Sequence, residues 1–290
     1  MTMAKSLLLT TDCGAEVDDQ WALAHQALAP ELDLRAVVTT HTGAHELPGD
    51  SASEFTARCA RDVLANLPLD GSAPDVVAGS PIPLASRADP RPGPGAERIV
   101  DEAAAFGPES RLAVLAIGAV TDVASALLLE PSLADRIDVV AMGFNGWPDG
   151  GDPFNVRNDV AAWQAMLDSG VPITIGSADV CKRHLVITPE QARVRFARGA
   201  GPYIEGLLTE WVGRHAKLCN IVTGDPASWP IWDEITTAYL LAMTEFETYP
   251  RPDLLDDTSF QGEMAGPPIR WITSLDQDTL WDHFSDLLAG

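Results

Sequence analysis

Apolar runs of strand length alternate along this chain with segments whose apolar residues recur at helical spacing. Residues 6–11, S-L-L-L-T-T, form a short apolar run suited to a buried strand. Val17, Trp21, Ala24 and Leu28 then fall on one helical face. A second strand is predicted over 34–40, and a helix over 53–67 opened by Asp50 or Ser51 as its cap. Residues 70–94 are rich in Pro and Gly and read mostly as loop, with a short strand candidate at 76–78. Further on come a helix over 97–106, a strand over 112–117, and a helix over 122–129 that stops before Pro131. Residues 137–142 give another strand, 143–152 a Gly-dense loop, 160–167 a helix and 173–175 a strand. After Pro189 the pattern reads as mainly helical, over 191–197, 203–217, 234–243 and 280–288.

Such alternation predicts an α/β fold, with a mainly parallel central sheet and helices on both faces. In sheets of this kind the ligand crevice lies beyond the carboxyl ends of the strands. The residues directly after the predicted strands are Asp12, His41, Gly118 and the trio Gly143, Phe144 and Asn145. There is no internal repeat and no low-complexity tract, and residues 1–290 read as one domain. The Pro/Gly-rich stretch at 89–95 is the one place where a linker could divide it.

Charge narrows the function. With 19 Lys+Arg against 42 Asp+Glu, the formal net charge is −23. Such a surface repels phosphate backbones and disfavours nucleic-acid polymers. The same excess suits a cation site, because carboxylates are hard ligands for Ca²⁺ or Mg²⁺. The N-terminal M-T-M-A-K-S-L-L-L-T-T-D has only a three-leucine apolar run, so neither a secretory signal nor a membrane segment is expected. Cys13, Cys59, Cys181 and Cys219 are scattered without a C-x-x-C pair, and the histidines lack H-E-x-x-H spacing. The expectation is a cytoplasmic protein with reduced thiols, and no zinc hydrolase.

The densest chemistry follows the first strand. T-D-C-G-A-E-V-D-D at 11–19 places Asp12, Glu16, Asp18 and Asp19 where a strand gives way to a helix. Helix capping by Asp18 on a solvated turn is one explanation, since the helix dipole favours negative charge there. The other is a divalent metal held by Asp12 and Asp19, because Asp12 ends the strand and points into the crevice, and carboxylates this close repel one another without a cation. G-x-x-x-x-G-K and G-x-G-x-x-G are both absent, so no Walker loop or dinucleotide fingerprint competes.

The D-x-G…D-D pattern followed by Ala22-Leu23 resembles the aspartate signature of the inosine–uridine-preferring nucleoside hydrolases, commonly D-x-D-P-G-x-D-D. Here it takes a T-D-x-G-x-E-x-D-D form. Other segments resemble the family in order. V-A-G-S-P-I-P-L at 77–84 is similar to V-x-x-G-x-x-x-P-L, and L-A-I-G-A-V-T-D at 115–122 to L-x-P-T-G-P-L-T-N, with Glu130-Pro131 after it. Met142-Gly143 resembles the M-G-G strand end, F-N-V-R-N-D-V-A-A at 154–162 resembles F-N-x-x-x-D-P-E-A-A, and Trp232-Asp233 with 237–240 resembles H-D-x-x-A-V-A-Y.

The resemblance implies the nucleoside hydrolase fold and one Ca²⁺ bound by Asp12, Asp19, Asp233 and the main-chain carbonyl of Ile117. Asp233 also has a residue-level alternative as the N-cap of the helix that starts near Glu234. By the same resemblance Asp12 is the base that activates water, while Asp18, Asn155 and Asp233 hold sugar hydroxyls. A homodimer or homotetramer is also implied. Several positions depart from the family. Its proposed leaving-group acid, a His, is Trp232 here, a residue suited either to stacking on a ring or to core packing. The Asn of its G-N pair is Ala44, flanked by His41 and His45, which read either as substitutes or as exposed polar surface. The Glu before F-N is Pro153, with Asp152 one residue earlier. Asn145 is the nearest counterpart of a second loop Asn, and Glu16 is an added carboxylate that serves as a sugar contact or an exposed turn.

Among the other aromatics, Trp147 and Trp211 are weaker candidates for a base pocket. Trp163 reads as core, and Trp229 and Trp232 as the better pocket candidates. Lys182, Arg183 and His184 read as a solvated basic turn, with an oligomer contact or recognition of an acidic ligand group as the sharper alternative. The function expected is Ca²⁺-dependent cleavage of an N-riboside by a nucleoside-like hydrolase. The alternatives are a repurposed protein that binds sugars or nucleosides, and a biosynthetic enzyme acting on another glycosyl substrate.

Overall fold

The computed structural model describes residues 4–43, 52–152 and 154–290. Asp50 and Ser51 (the expected cap), Ala44, His45 and Pro153 lie outside the described residues. In chain order the first half runs β1 (Lys5–Thr11), α1 (Asp18–Leu28), β2 (Leu32–Thr39), α2 (Ala52–Ala65), β3 (Asp75–Ala78), α3 (Pro94–Ala103), β4 (Leu112–Ala116), α4 (Thr121–Leu129) and β5 (Ile137–Met142). The second half runs α5 (Asn155–Asn158), α6 (Val160–Asp168), β6 (Ile173–Gly176), α7 (Ala178–His184), β7 (Val186–Ile187), α8 (Pro189–Arg195), α9 (Gly201–Thr223), β8 (Trp229–Pro230), α10 (Glu234–Leu240), β9 (Thr244–Tyr249), β10 (Pro252–Leu254), β11 (Phe260–Glu263), β12 (Ile269–Leu275) and α11 (Gln277–Ala289).

Eight strands form one sheet in the order β3-β2-β1-β4-β5-β6-β12-β9. All neighbours are parallel except β9, which runs antiparallel to β12. Strand periodicity explains the two-sided core. Leu7 and Leu9 of β1 join one apolar cluster, with Trp21 of α1, Val63 of α2 and Phe284 of α11. Leu8 joins the other, with Ile99 of α3, Val123 of α4 and Trp163 of α6. Each of these leucines is fully buried, a burial that contributes about 1.5–3 kcal/mol per side chain. A strand covered on both faces therefore reads as a continuous apolar run, as β1 does.

The strand order places the crevice. From β1 the chain winds outward through β2 and β3, then returns to β4 on the other side of β1 and continues through β5 and β6. The carboxyl ends of β1 and β4 therefore flank the point where the winding reverses, which is where open α/β sheets bind ligands. Asp12 follows β1 there, and Ile117 follows β4, its N–H donating to Thr10 O at 2.9 Å.

The region after Pro189 differs from the mainly helical expectation. Its helices α8 to α11 are present, but β12 and β9 extend the main sheet and β10 and β11 form a separate hairpin. A register shift between Ile272 and Ser274 interrupts the alternation of β12. β9 is an edge strand with Glu245 and Glu247 exposed, so it shows no apolar face to read. The basic run at 182–184 also departs from a simple turn: it is the last turn of α7, where cations complement the helix dipole. No helix among the described residues is long and apolar enough to cross a membrane.

Candidate functional site

The sequence after β1 folds so that its acids converge. Asp12 leaves the strand end, a turn closes with Ala15 N donating to Asp12 O at 2.9 Å, and α1 begins at Asp18. Gly118 permits the approach of the β4 end. A Cβ there would lie 2.7 Å from both the backbone nitrogen and Oδ1 of Asp12, so a larger residue would push the two strand ends apart. Asp233 arrives from the distant start of α10. One carboxylate oxygen each from Asp18, Asp19 and Asp233 lies within 4.8 Å of the others. Asp12 sits against the same group, within charge-interaction range of Asp18, Asp19 and Asp233. The tightest trio thus contains Asp18 beside Asp19 and Asp233, where the sequence pointed to Asp12 in that position.

Neither capping alternative is realised. The N-cap residue of α1 is Val17, and no side chain caps that helix. Asp233 stands at the N-cap position of α10 with helical backbone angles and makes no side-chain cap bond.

All four acids are between 2 and 4% exposed. Burial, followed by mutual charge repulsion, raises the Asp12 and Asp233 carboxyls well above the usual range. The same two causes raise Asp18, and burial raises Asp19 to about 7 even though the Thr11 hydroxyl donates to it. Asp18 Oδ1 and Asp233 Oδ2 are buried with no donor. Among the described residues no Lys, Arg or His pairs with any of the four. Buried charge without a partner is costly, of order several kcal/mol per ion. A hard divalent cation in an all-oxygen setting meets both the repulsion and the unfilled lone pairs. The residues present therefore fit a metal of that class.

The remaining expected residues fall into three groups. Asn155, Asn145, Asp152, Glu16, Trp232 and Ile117 line one cavity together with the four aspartates. Asn155, the first residue of α5, donates through Nδ2 to the carbonyls of Ile117 at 2.9 Å and Met142 at 3.2 Å. It thereby ties the ends of β4 and β5 together at the cavity wall, and the Ile117 carbonyl already serves it. Asp152 accepts from the N–H of Phe144 at 2.8 Å and from the N–H of Phe154. It thus fixes the loop after β5, where Phe144 has φ 67°, a left-handed conformation that a bulky residue adopts only when its surroundings impose it. Glu16 is half-buried near Trp232, with burial and the neighbouring aspartates raising its carboxyl.

His41 stands apart from that cavity. Its Nδ1 accepts from Gly43 N at 3.1 Å, and its Nε2 contacts the Thr121 hydroxyl at 2.9 Å. It is 1% exposed, and burial lowers it to about 4, so it is a neutral internal brace between the β2 end and α4. Trp147 stacks on Tyr249 and Trp163 is core, while Trp229 and Trp232 line the cavity with ring centroids 6.1 Å apart. Lys182 was the least expected lining residue. Leu218 and Val222 of α9 join the same wall. Their i, i+4 spacing was the available signal, though it fits ordinary core packing equally well.

Comparison with known proteins agrees with this architecture. The family model described as inosine-uridine preferring nucleoside hydrolase matches residues 7–282. Among curated proteins no sequence matches. A plant nucleoside hydrolase structure superposes with a TM-score of 0.76 at 14% identity, covering 99% of each chain. The purine-preferring ribonucleoside hydrolase from Gardnerella vaginalis gives 0.69 at 16% identity, over 99% of this chain and 98% of that one. An inosine-guanosine nucleoside hydrolase gives 0.74 at 14% identity, over 98% of each. At these identities the structural likeness establishes the fold, and the family match over nearly the whole length carries the assignment: this chain belongs to the inosine-uridine preferring nucleoside hydrolase family, a family of N-glycosidases.

Proposed function

We propose that this chain hydrolyses the N-glycosidic bond of a nucleoside or related N-riboside, depends on Ca²⁺, and uses Asp12 as the general base. The observation that carries this reading is the convergence of buried Asp18, Asp19 and Asp233 with two unfilled carboxylate oxygens at the winding reversal of the sheet. Asp18, Asp19, Asp233 and the Ile117 carbonyl would hold the ion, with Asp12 beside it. When bound, a divalent cation acidifies coordinated water and holds vicinal hydroxyls in place.

The chain's own groups do the rest. Cleaving the bond builds positive charge on the ribose ring, and four buried carboxylates stabilise that charge electrostatically. Asp12 accepts the proton of the attacking water. Asn155, whose amide nitrogen is committed to two carbonyls, offers its Oδ1 to a sugar hydroxyl. Asn145 lies on the same wall. Trp229 and Trp232 provide aromatic surface against which a planar base packs. The substrate is a small nucleoside, with no nucleic-acid polymer and no membrane as partner. A cytoplasmic setting and a homodimer or homotetramer, the assembly inferred from the family, complete the proposal.

The test is reducing-sugar release from inosine, guanosine, adenosine, uridine and cytidine, with EDTA and with Ca²⁺ added back, alongside metal analysis of the purified protein. Release that EDTA abolishes and Ca²⁺ restores, with about one ion per chain, is the expected result. No release from any substrate, or release indifferent to EDTA, would refute it and favour a repurposed binding protein.

A further inference from the structure

We propose that Lys182 supplies the positively charged N–H that the departing base requires. In the family that step is assigned to a histidine at the position that is Trp232 here. The inference rests on the hydrolase reading above and extends it to the leaving-group side of the same cavity.

The geometry begins with α7. Its first residues are anchored to the loop after β5, with Ala178 N donating to Phe144 O at 2.9 Å and Asp179 N to Asn145 O at 3.0 Å. Residues four apart on a helix share a face, so Ala178 and Lys182 are presented together, and both line the cavity. Arg183 turns aside to Asp179 and the Thr273 carbonyl. The Lys182 ammonium sits over the Trp232 ring, 5.9 Å from its centroid, a cation–π geometry. No carboxylate among the described residues lies within ion-pair distance of it. Lys182 is the single cationic side chain among the described residues that line the cavity. It projects from an otherwise apolar and acidic cavity beside the two indoles suited to the base.

Chemically, the family's departing base leaves with an electron pair and needs a proton or a positive hydrogen-bond donor. An indole N–H cannot give up its proton near neutrality. A lysine ammonium can do both. The C–N bond breaks with its electrons going to the base nitrogen, and a C–O bond forms to the water oxygen. The water proton passes to Asp12, and the base takes a proton from Lys182. Solvent returns a proton to exposed Lys182 and removes one from Asp12, so the sum is riboside plus water giving sugar and free base.

The experiment compares two leaving groups. Inosine and uridine release bases that need protonation, whereas 4-nitrophenyl β-D-ribofuranoside releases a phenolate stable at neutral pH. Lys182→Met should lower kcat for the nucleosides about 10²–10³-fold while changing 4-nitrophenyl riboside turnover less than threefold. Lys182→Arg keeps the charge but cannot release a proton, so it should leave nucleoside turnover at least about tenfold below wild type while 4-nitrophenyl riboside turnover stays within threefold. Equal losses on both substrate types, no loss on nucleosides, or a wild type that cleaves the nitrophenyl riboside but no nucleoside, each overturns the proposal. A wild type that cleaves neither instead overturns the hydrolase reading on which it rests.

Discussion

Two groups of buried aspartates stand at the same end of the sheet, and they are built differently. Asp12, Asp18, Asp19 and Asp233 form an open group: they face one another, and Asp18 Oδ1 and Asp233 Oδ2 receive no donor. Asp122 and Asp159 form a closed one. Asp159 accepts from Ala162 N at 2.9 Å, Leu84 N at 2.9 Å and the Thr121 hydroxyl at 2.6 Å, and Asp122 accepts from Ser80 N with both oxygens. Asp152 belongs with the closed group, its oxygens engaged by loop N–H groups. Exposure does not separate them, being 2–4% in the open group and 2–3% for Asp122 and Asp159. The direction of the pKa shift does not separate them either, since burial raises carboxyls in both. Lone-pair accounting does: where the protein supplies the donors the acid braces the fold, and where it withholds them the acid has an oxygen free for a ligand such as the proposed cation.

The widest gap between the groups should appear in turnover. Asp12→Asn removes the proposed base while preserving shape, and kcat should fall by about 10³-fold or more with an unchanged far-ultraviolet spectrum. Asp159→Asn, in the closed group, should retain activity within about tenfold of wild type where it folds. Comparable losses in the two variants would erase the distinction.

Stability should show the opposite ranking. Asp159→Ala strands two buried backbone N–H groups and the Thr121 hydroxyl and removes the α6 cap, a cost of about 3 kcal/mol. For a chain of this size that lowers Tm by roughly 5 °C. Ca²⁺ should leave the deficit in place, because nothing it binds has been restored. In wild type, Ca²⁺ at about a hundred times its Kd should add roughly 2.7 kcal/mol. Asp19→Asn should abolish most of that gain. Calorimetry with EDTA and with Ca²⁺ reads all three proteins, and a calcium shift that survives Asp19→Asn would remove the ion from this site.

The comparison also shows what a linear sequence reveals. Asp12, Asp18 and Asp19 were legible because one strand–helix junction holds them within a few residues. Asp233 emerged only through family resemblance, since no local rule links it to residues some two hundred positions away. That Asp18 joins the tightest trio depends on side-chain directions at the start of α1, which spacing does not encode. His41 looked like a crevice residue because it follows β2, yet its partner Thr121 is distant in sequence and holds it inside. Lys182 looked like part of a solvated basic run because α7 is only seven residues long and sets which neighbour faces the cavity. The parallel core of the sheet was readable from doubly buried apolar runs. The edge strand β9 was not, because an exposed strand with glutamates at alternate positions carries no hydrophobic signature.

The smallest expected effect separates donors from charge inside the closed group. Burial, outweighing the bonds from Ser80 N, raises Asp122 to about 7, and the nearby Asp159 charge adds to the rise. A folded-state value above the unfolded one means that the native chain holds the proton more tightly. Its contribution to stability is therefore full below about pH 4 and is lost as the pH rises toward 7. Asp122→Asn keeps the shape and removes this titration. The variant should therefore gain on wild type by about 1–2 kcal/mol between pH 5 and pH 7. Asp159 and Arg91 are the charged groups near this site. His41, joined through Thr121, is held at about 4 by burial and destabilises the fold as pH falls from about 6.5 toward 4. Because His41 is present in both proteins, the difference between their urea midpoints isolates Asp122. A flat difference from pH 5 to pH 7 would mean that Asp122 is ionised throughout, with the Ser80 N–H sufficient to hold its charge, and that donors alone decide which buried acids this fold tolerates.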